Sequence, residues 1–333
     1  MERILCYMLQ RFYPDYIYNS TYEIDFHYYY NTGIRGIIFD IDNTLVPHGA
    51  DADERAIVLF EKLRQIGFST CLLSNNKEPR VLRFNQLIQS EYIYKAGKPG
   101  QKGYQRAMEC MGTSIEQTMF VGDQLFTDVW GAKKLGITCV LVRPIHPKEE
   151  IQIVLKRYLE RIVLRSYCKK KDTILIGFMG TGKSTIGKLL AQQQHRLFID
   201  TDAYIEAKEG CSISDIFEQK GEDYFRSLET KVLGELNRVT HNAVIATGGG
   251  LPLRRENAEL LSGMGEVIYL QTSADTILER LKGDTTRPLL NTENPRERIE
   301  QLLLERDEKY MAASQKKLVT DGFSAEEIVA ILD

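Results

Sequence analysis

Gly177, Gly180, Gly182, Lys183 and Ser184 fit the pattern G-x-x-x-x-G-K-[ST], directly after the apolar run Ile174-Leu175-Ile176. Glycines are needed there because backbone N–H groups must turn inward around a phosphate chain, where a Cβ would collide with the anion. Lys183 would neutralise β and γ phosphates, and the Ser184 hydroxyl would meet Mg²⁺. The segment from Ser184 to Gln193 reads as a helix whose N-terminal dipole faces the phosphates. The chemistry expected is phosphoryl transfer from a nucleotide. A second constellation lies upstream, where Ile37-Ile38-Phe39 runs into Asp40-Ile41-Asp42-Asn43-Thr44. Two carboxylates so close at the carboxyl edge of a strand need a cation. A carboxylate nucleophile attacking an anionic phosphate needs Mg²⁺ to cancel repulsion, and a neighbouring acid to protonate the leaving oxygen and then activate water. Asp40 suits the first role and Asp42 the second.

Further polar sets follow strands in both halves. Cys71-Leu72-Leu73 ends in Ser74-Asn75-Asn76, Lys98 sits in Gly97-Lys98-Pro99, and Phe120-Val121 leads to Gly122-Asp123-Gln124-Leu125-Phe126-Thr127-Asp128. Ser74, Asn75 and Lys98 are expected around a phosphate, with Asp123 as a metal ligand. Asp128 is either a second ligand or a hydrogen-bond support for one. In the second half, Leu197-Phe198-Ile199 delivers Asp200 and Asp202, which suit Mg²⁺ and a hydroxyl. Arg226 and Glu229, three apart, share a helix face, and such an arginine suits a substrate carboxylate. Val244-Ile245-Ala246 runs into Thr247-Gly248-Gly249-Gly250, where bare backbone lets a ligand lie close. The polar stretch around Arg287 reads as a closing lid whose arginine reaches the triphosphate after closure.

The elements that must position these residues form two α/β units, each a doubly wound parallel sheet. At about 150 residues per domain, 333 residues suggest two. The expected division is residues 1–168, a linker at 169–172, and residues 173–333. Between them, Lys148 to Tyr167 has apolar Ile151, Leu155, Tyr158, Leu159, Ile162 and Val163 at helical spacing, with Lys156, Arg157, Arg161 and Arg165 elsewhere on its surface. Its stripe either packs on its own domain, the expectation here, or rests on an anionic membrane. The aromatics between Tyr7 and Tyr30 are likewise expected in the core more than at a membrane interface. A net charge of −3 gives no nucleic-acid footprint, so small phosphorylated partners are expected. Six scattered cysteines without C-x-x-C pairs argue for a reduced cytoplasm and no zinc site. No run reaches 18 apolar residues and no signal peptide is visible, leaving peripheral membrane contact as the alternative to a purely cytosolic chain.

The ordered set D-T-D, G-E-x-x-F-R-x-x-E, G-G-G, R-P-L-L and R-x-x-x-Y, together with the loop, resembles shikimate kinase across nearly all of Thr173 to Asp333. That resemblance implies ATP held by Gly180, Thr181, Gly182, Lys183, Ser184 and Thr185. It implies Mg²⁺ at Ser184 and Asp200, and Asp202 as the acid that orients the attacking hydroxyl. Arg226, Arg306 and Gly249 would bind shikimate, and Arg287 would be the lid arginine. The reaction implied is ATP plus shikimate to ADP and shikimate 3-phosphate, toward aromatic amino acids. The chain departs from the family in lacking an arginine after the last strand and a Pro-Leu before Tyr310. D-I-D-N-T-L-V-P, S-N-N-K-E and V-G-D-Q-L-F-T-D-V resemble the YqeG-type class IIIA branch of the haloacid dehalogenase superfamily, from Met1 to Tyr167. This implies a phosphatase with Asp40, Asp42 and Asp123 at a second Mg²⁺ site and an aspartyl-phosphate intermediate. Phosphatidylglycerophosphate is a substrate known in that branch. Two alternatives stay open: a first domain that only tethers the kinase, and a kinase acceptor that is another small hydroxy acid.

Overall fold

The computed structural model describes residues 9–146, 151–282 and 294–332, and of residues 151–155 only the backbone. The chain divides into two compact units, Met1–Lys169 and Lys170–Asp333.

In the first unit, β1 (Tyr16–Tyr18), β2 (Gly36–Phe39), β3 (Ser69–Leu73), β4 (Glu91–Ile93), β5 (Thr118–Gly122) and β6 (Thr138–Val142) form one parallel sheet in the order β1-β6-β5-β2-β3-β4. Helices flank it: α1 (Phe26–Asn31), α2 (Glu54–Ile66), α3 (Glu78–Ile88), α4 (Gln101–Met111), α5 (Trp130–Lys133) and α6 (Ile151–Cys168). Every residue of β2 and β5 is buried, as parallel strands covered on both faces must be, and this explains their unbroken apolar runs. From β2 the chain builds outward through β3 and β4, then returns to β5 on the other side. Such a reversal opens a crevice at the carboxyl ends of β2 and β5, where ligands gather in open sheets.

The N-terminal aromatics are interior. Tyr13, Tyr16, Phe26, Tyr28 and Tyr29 are buried, with Tyr16 and Tyr28 meeting Tyr29 edge-on at 5.5 and 5.0 Å. Strand β1 was not foreseen; three residues give too short a pattern to read. The stripe of α6 is only partly packed. Val163 and Tyr167 are buried, but Tyr158, Leu159 and Ile162 are 60, 48 and 48% exposed. The apolar face of α6 is therefore narrower than its spacing suggested. Among the described residues no helix is long and apolar enough to cross a membrane.

The second unit has β7 (Asp172–Ile176), β8 (Phe198–Asp200), β9 (Val244–Ala246), β10 (Gly265–Gln271) and β11 (Lys316–Val319) in the parallel order β11-β10-β7-β9-β8. Its helices are α7 (Lys183–Gln193), α8 (Thr201–Glu209), α9 (Ile213–Val239), α10 (Arg255–Met264), α11 (Ala274–Arg280), α12 (Pro295–Ala313) and α13 (Ala325–Leu332). Ser212 and Asp215 close a capping box at the start of α9. Gly221, at φ 80 and ψ 172, interrupts that helix, so the turn carrying Arg226 and Glu229 begins a fresh segment.

Asp172, expected in the linker, instead opens β7. It is 3% exposed, and its carboxylate accepts from Ala243 N at 2.7 Å, tying β7 to the start of β9. Burial pushes its carboxyl up from 3.8 to about 6, against the hydrogen bond and Arg196. A carboxyl raised on folding favours the protonated state, so its contribution is present below pH 3.8 and lost as pH climbs through about 6. Urea melts of wild type and Asp172→Asn should therefore converge at low pH and diverge across that window, with the variant the flatter of the two. Parallel curves would show that this carboxyl does not couple to folding.

Candidate active sites

In the first unit, Phe39 lies opposite Val121, and Asp40 N donates to Val121 O at 2.9 Å, so Asp40 and Asp123 leave neighbouring strands side by side. Lys98, 8% exposed, reaches between Asp40 Oδ1 at 2.6 Å and Asp128 Oδ1 at 2.7 Å. Gly122 makes room for this: a Cβ there would sit 2.7 Å from Asp128 Oδ2. Tyr104 supports the same turn by donating to the carbonyls of Thr127 and Asp128, each at 3.0 Å. Oxygens of Asp40, Asp123 and Asp128 all lie within 4.8 Å of one another. A buried, all-oxygen carboxylate trio suits a hard divalent cation. Burial, with Asp128 and Asp42 adding and Lys98 opposing, pushes Asp40 up to about 7. A bound cation would favour the ionised form that a nucleophile requires.

Two expectations change here. Asp42 is turned away from the trio: its carboxylate accepts from Asn76 Nδ2 at 2.5 Å, Arg80 Nη2 at 2.9 Å and Gly49 N at 2.8 Å. Asp128 takes the third place instead, because the turn Leu125–Val129 folds it back toward β5 while Asp42 stands three residues past the end of β2. Asn75 uses its amide on Lys98, donating to its carbonyl at 3.2 Å and accepting from its N–H at 2.8 Å. It holds the lysine loop rather than standing open to a ligand. Ser74 is buried at the end of β3 with Oγ accepting from Asn76 N at 3.1 Å. Sequence reasoning placed Arg157 on the helix surface, yet it contacts the Asp123 carboxylate, and it passed over Arg80 and Glu160 entirely. Only the helical spacing of Arg157 and Glu160 hinted at a pair, since sequence does not give a helix its facing loop.

In the second unit the loop after β7 holds Gly177, Gly180 and Gly182 at φ 144, 76 and 90, which explains the glycines directly. Lys183 Nζ donates to Gly177 O at 3.0 Å and Phe178 O at 2.8 Å across the loop. Ser184 Oγ donates to Asp200 Oδ2 at 2.5 Å, while Asp200 Oδ1 caps α8 by accepting from Asp202 N at 3.0 Å. A cavity of about 410 Å³ opens among Gly180, Gly182, Lys183, Ser184, Thr185, Asp200, Asp202 and Gly249. Thr181 lies just beneath it, buried, with Oγ1 donating to Phe178 O at 2.9 Å.

The glycine run after β9 is a contact surface. A Cβ on Gly248 would lie 2.3 Å from Asp202 Oδ1, and one on Gly250 2.3 Å from Arg226 Nη1. Tyr310 donates to Gly249 O at 2.6 Å. Arg226 is held by Glu229 and Glu222, each at 2.9 Å. Burial pushes Glu229 up to about 7, with Arg226 opposing and Asp202 adding. Arg306 stacks 5.5 Å over the Phe178 ring at the loop. Asp202, Arg226, Gly249 and Arg306 thus converge, whereas Arg287 and its stretch lie outside the described residues.

Two outcomes follow from this packing. Lys98→Met leaves two buried carboxylates uncompensated and should cost about 3–5 kcal/mol, read as lost stability in urea at the single tryptophan, Trp130. Gly250→Ala should fold with a near-native melting temperature, because only the far end of Arg226 must move, yet raise KM for a carboxylate-bearing acceptor. Unchanged KM would remove Arg226 from the acceptor site.

Comparison with known proteins bears on both units. The shikimate kinase family model matches residues 179–332, and a HAD-hydrolase-like model matches residues 95–149. The shikimate kinase of Sulfurihydrogenibium sp. (strain YO3AOP1) is 47% identical over 144 residues, 43% of this chain and 85% of that protein. That of Actinobacillus pleuropneumoniae serotype 5b (strain L20) is 46% identical over 157 residues, covering 47% and 90%. The solved shikimate kinase from Acinetobacter baumannii in complex with shikimate is 38% identical, covers 50% of this chain and 93% of its own, and has a TM-score of 0.48. With the loop, the acids of β8 and the glycine run all in place, the chain belongs to the shikimate kinase family through its second unit, behind a first unit that carries a haloacid dehalogenase-like domain.

Proposed function

We propose that the chain is a two-headed phosphoryl-transfer enzyme, a shikimate kinase joined to a phosphomonoesterase, each head using its own Mg²⁺. The observation that carries the kinase reading is the packing of Asp202 and Arg226 against the bare backbone of Gly248 and Gly250 beside the phosphate loop. Shikimate has a carboxylate and ring hydroxyls. Arg226 and Arg306 bind the carboxylate, Gly249 lies against the ring, and Asp202 accepts a hydrogen bond from the attacking hydroxyl. The N–H groups of Gly180 to Thr185 and the Lys183 ammonium hold the ATP phosphates, and Lys183 leaves its loop carbonyls to do so. Ser184 and Asp200 would hold Mg²⁺, which would supply positive charge to offset the charge that builds in transfer. Arg287 belongs to the lid in this reading.

In the first unit, Asp40 attacks the phosphorus of a phosphomonoester and the alcohol departs, taking a proton from Asp42, which leaves its Asn76 and Arg80 partners to reach the site. Water then attacks the aspartyl-phosphate, giving its proton to Asp42, and releases phosphate. Lys98 and Ser74 hold the phosphoryl oxygens, and Asn75 keeps the Lys98 loop in place. The trio Asp40, Asp123 and Asp128 supports the cation site, and a complete set of this kind counts against a mere tether. Phosphatidylglycerophosphate is one substrate that this reading admits. Both reactions suit a cytosolic chain.

ADP release with ATP and Mg²⁺ should depend on shikimate and fall about 100-fold or more in kcat/KM for Arg226→Ala, the scale of about 3 kcal/mol for a truncated buried charge pair. ADP release indifferent to shikimate would overturn the acceptor. Phosphate release from p-nitrophenyl phosphate should vanish in Asp40→Asn and persist in Arg226→Ala; residual turnover in Asp40→Asn would overturn the nucleophile.

A further inference from the structure

Helix α6 carries a charged pair that the phosphatase reading leaves without a role. Arg157 Nη2 contacts the Asp123 carboxylate, and Nη1 donates to the Asp123 carbonyl at 2.5 Å and to Glu160 Oε2 at 3.0 Å. Glu160 Oε1 accepts from Leu125 N at 2.7 Å and Phe126 N at 3.3 Å. One helix thus grips both the side chain and the backbone of the turn that presents Asp123 and Asp128. The grip is dry: the Arg157 and Glu160 side chains are 16 and 5% exposed, and that of Asp123 is 0% exposed. It is therefore unlike a solvated surface ion pair, whose worth is small. The match to the haloacid dehalogenase-like model ends at residue 149, before this helix begins.

We propose that Arg157 and Glu160 are positioning residues for the cation site of the first unit. The proposal rests on the phosphatase reading above. A strand-end aspartate has several rotamers open to it, and crowding beside Asp40 and Asp128 drives its carboxylate away from them. Arg157 opposes this by holding Oδ2, while Thr44 Oγ1 donates to Oδ1 at 3.2 Å, so both oxygens are fixed. Glu160 holds Arg157 in its rotamer and pins the N–H groups of Leu125 and Phe126, so Asp128 returns beneath Asp40 within reach of Lys98. The trio is thereby preset for a cation before one arrives. Groups that orient metal ligands from outside in this way are worth about 10–100-fold in metal affinity.

The experiment is a Mg²⁺ titration of the full chain without nucleotide, read by the fluorescence of Trp130. This is the sole tryptophan, and it directly follows the Leu125–Val129 turn. Arg157→Gln and Glu160→Gln should each weaken Mg²⁺ binding about 10–100-fold, with Arg157→Lys recovering part of the loss. Turnover of p-nitrophenyl phosphate should fall at low Mg²⁺ and return toward wild type as Mg²⁺ is raised, a recovery that a merely structural fault would not show. Mg²⁺ affinity equal to wild type in both glutamine variants overturns the proposal. If wild type itself shows no Mg²⁺ response at millimolar concentration, the cation site fails and the proposal with it, a result distinct from the first. If Arg157→Gln does not fold, Glu160→Gln and Arg157→Lys decide by the same comparison.

Discussion

Buried carboxylates at the carboxyl edge of a parallel sheet must be matched by buried cations, and most of the chemistry in this chain is arranged around that requirement. In the first unit the carboxylates of Asp40, Asp123 and Asp128 crowd together; Lys98 bridges Asp40 and Asp128, and Arg157 pairs with Asp123. A lone ion buried without its partner costs several kcal/mol, far more than a surface pair contributes. The supporting structure then follows: Asn75 fixes the lysine loop, Gly122 clears space for Asp128, and Tyr104 holds its backbone. The second unit meets the same demand differently. Glu229 is paired with Arg226, and Asp200 is used on a helix N-terminus and a serine hydroxyl.

Much of this was legible in the residues because parallel strands buried on both faces advertise themselves. Ile37-Ile38-Phe39, Phe120-Val121, Ile174-Leu175-Ile176 and Val244-Ile245-Ala246 are apolar, short and followed at once by polar or glycine residues, and all four are strands. The sheet edge therefore placed Asp40, Asp123, the phosphate loop and the glycine run. What remained hidden were relations across sequence distance. That Asp42 faces Arg80, that Asn75 serves Lys98 and that Arg157 points inward depend on which helix or loop packs where, and no local period carries that information. Strand β1, three residues long, pairs with β6 more than a hundred positions away and has no pattern of its own.

Under the proposed function the two units hold phosphate with opposite materials. The kinase loop uses backbone N–H groups, and its three glycines at positive φ make that possible. In the proposed cycle the first unit would use side chains, a lysine and a serine, around a nucleophile that becomes covalently bonded. Backbone recognition leaves the transferred group untouched and suits passage from one small molecule to another. Side-chain recognition around a carboxylate suits a stopover on the protein.

Helix α6 ends at Cys168, and β7 begins at Asp172. Because Arg157 and Glu160 reach back to Asp123 and Leu125, the first unit is not finished where its sheet ends; its last structural part is also the last part to leave the ribosome. Vectorial synthesis thus gives the fusion an order of events. A nascent chain that has already made all six strands still has an open acidic turn, and it closes only when the connector emerges with the kinase immediately behind. A nick in that stretch would therefore loosen the turn that carries Asp123 and Asp128.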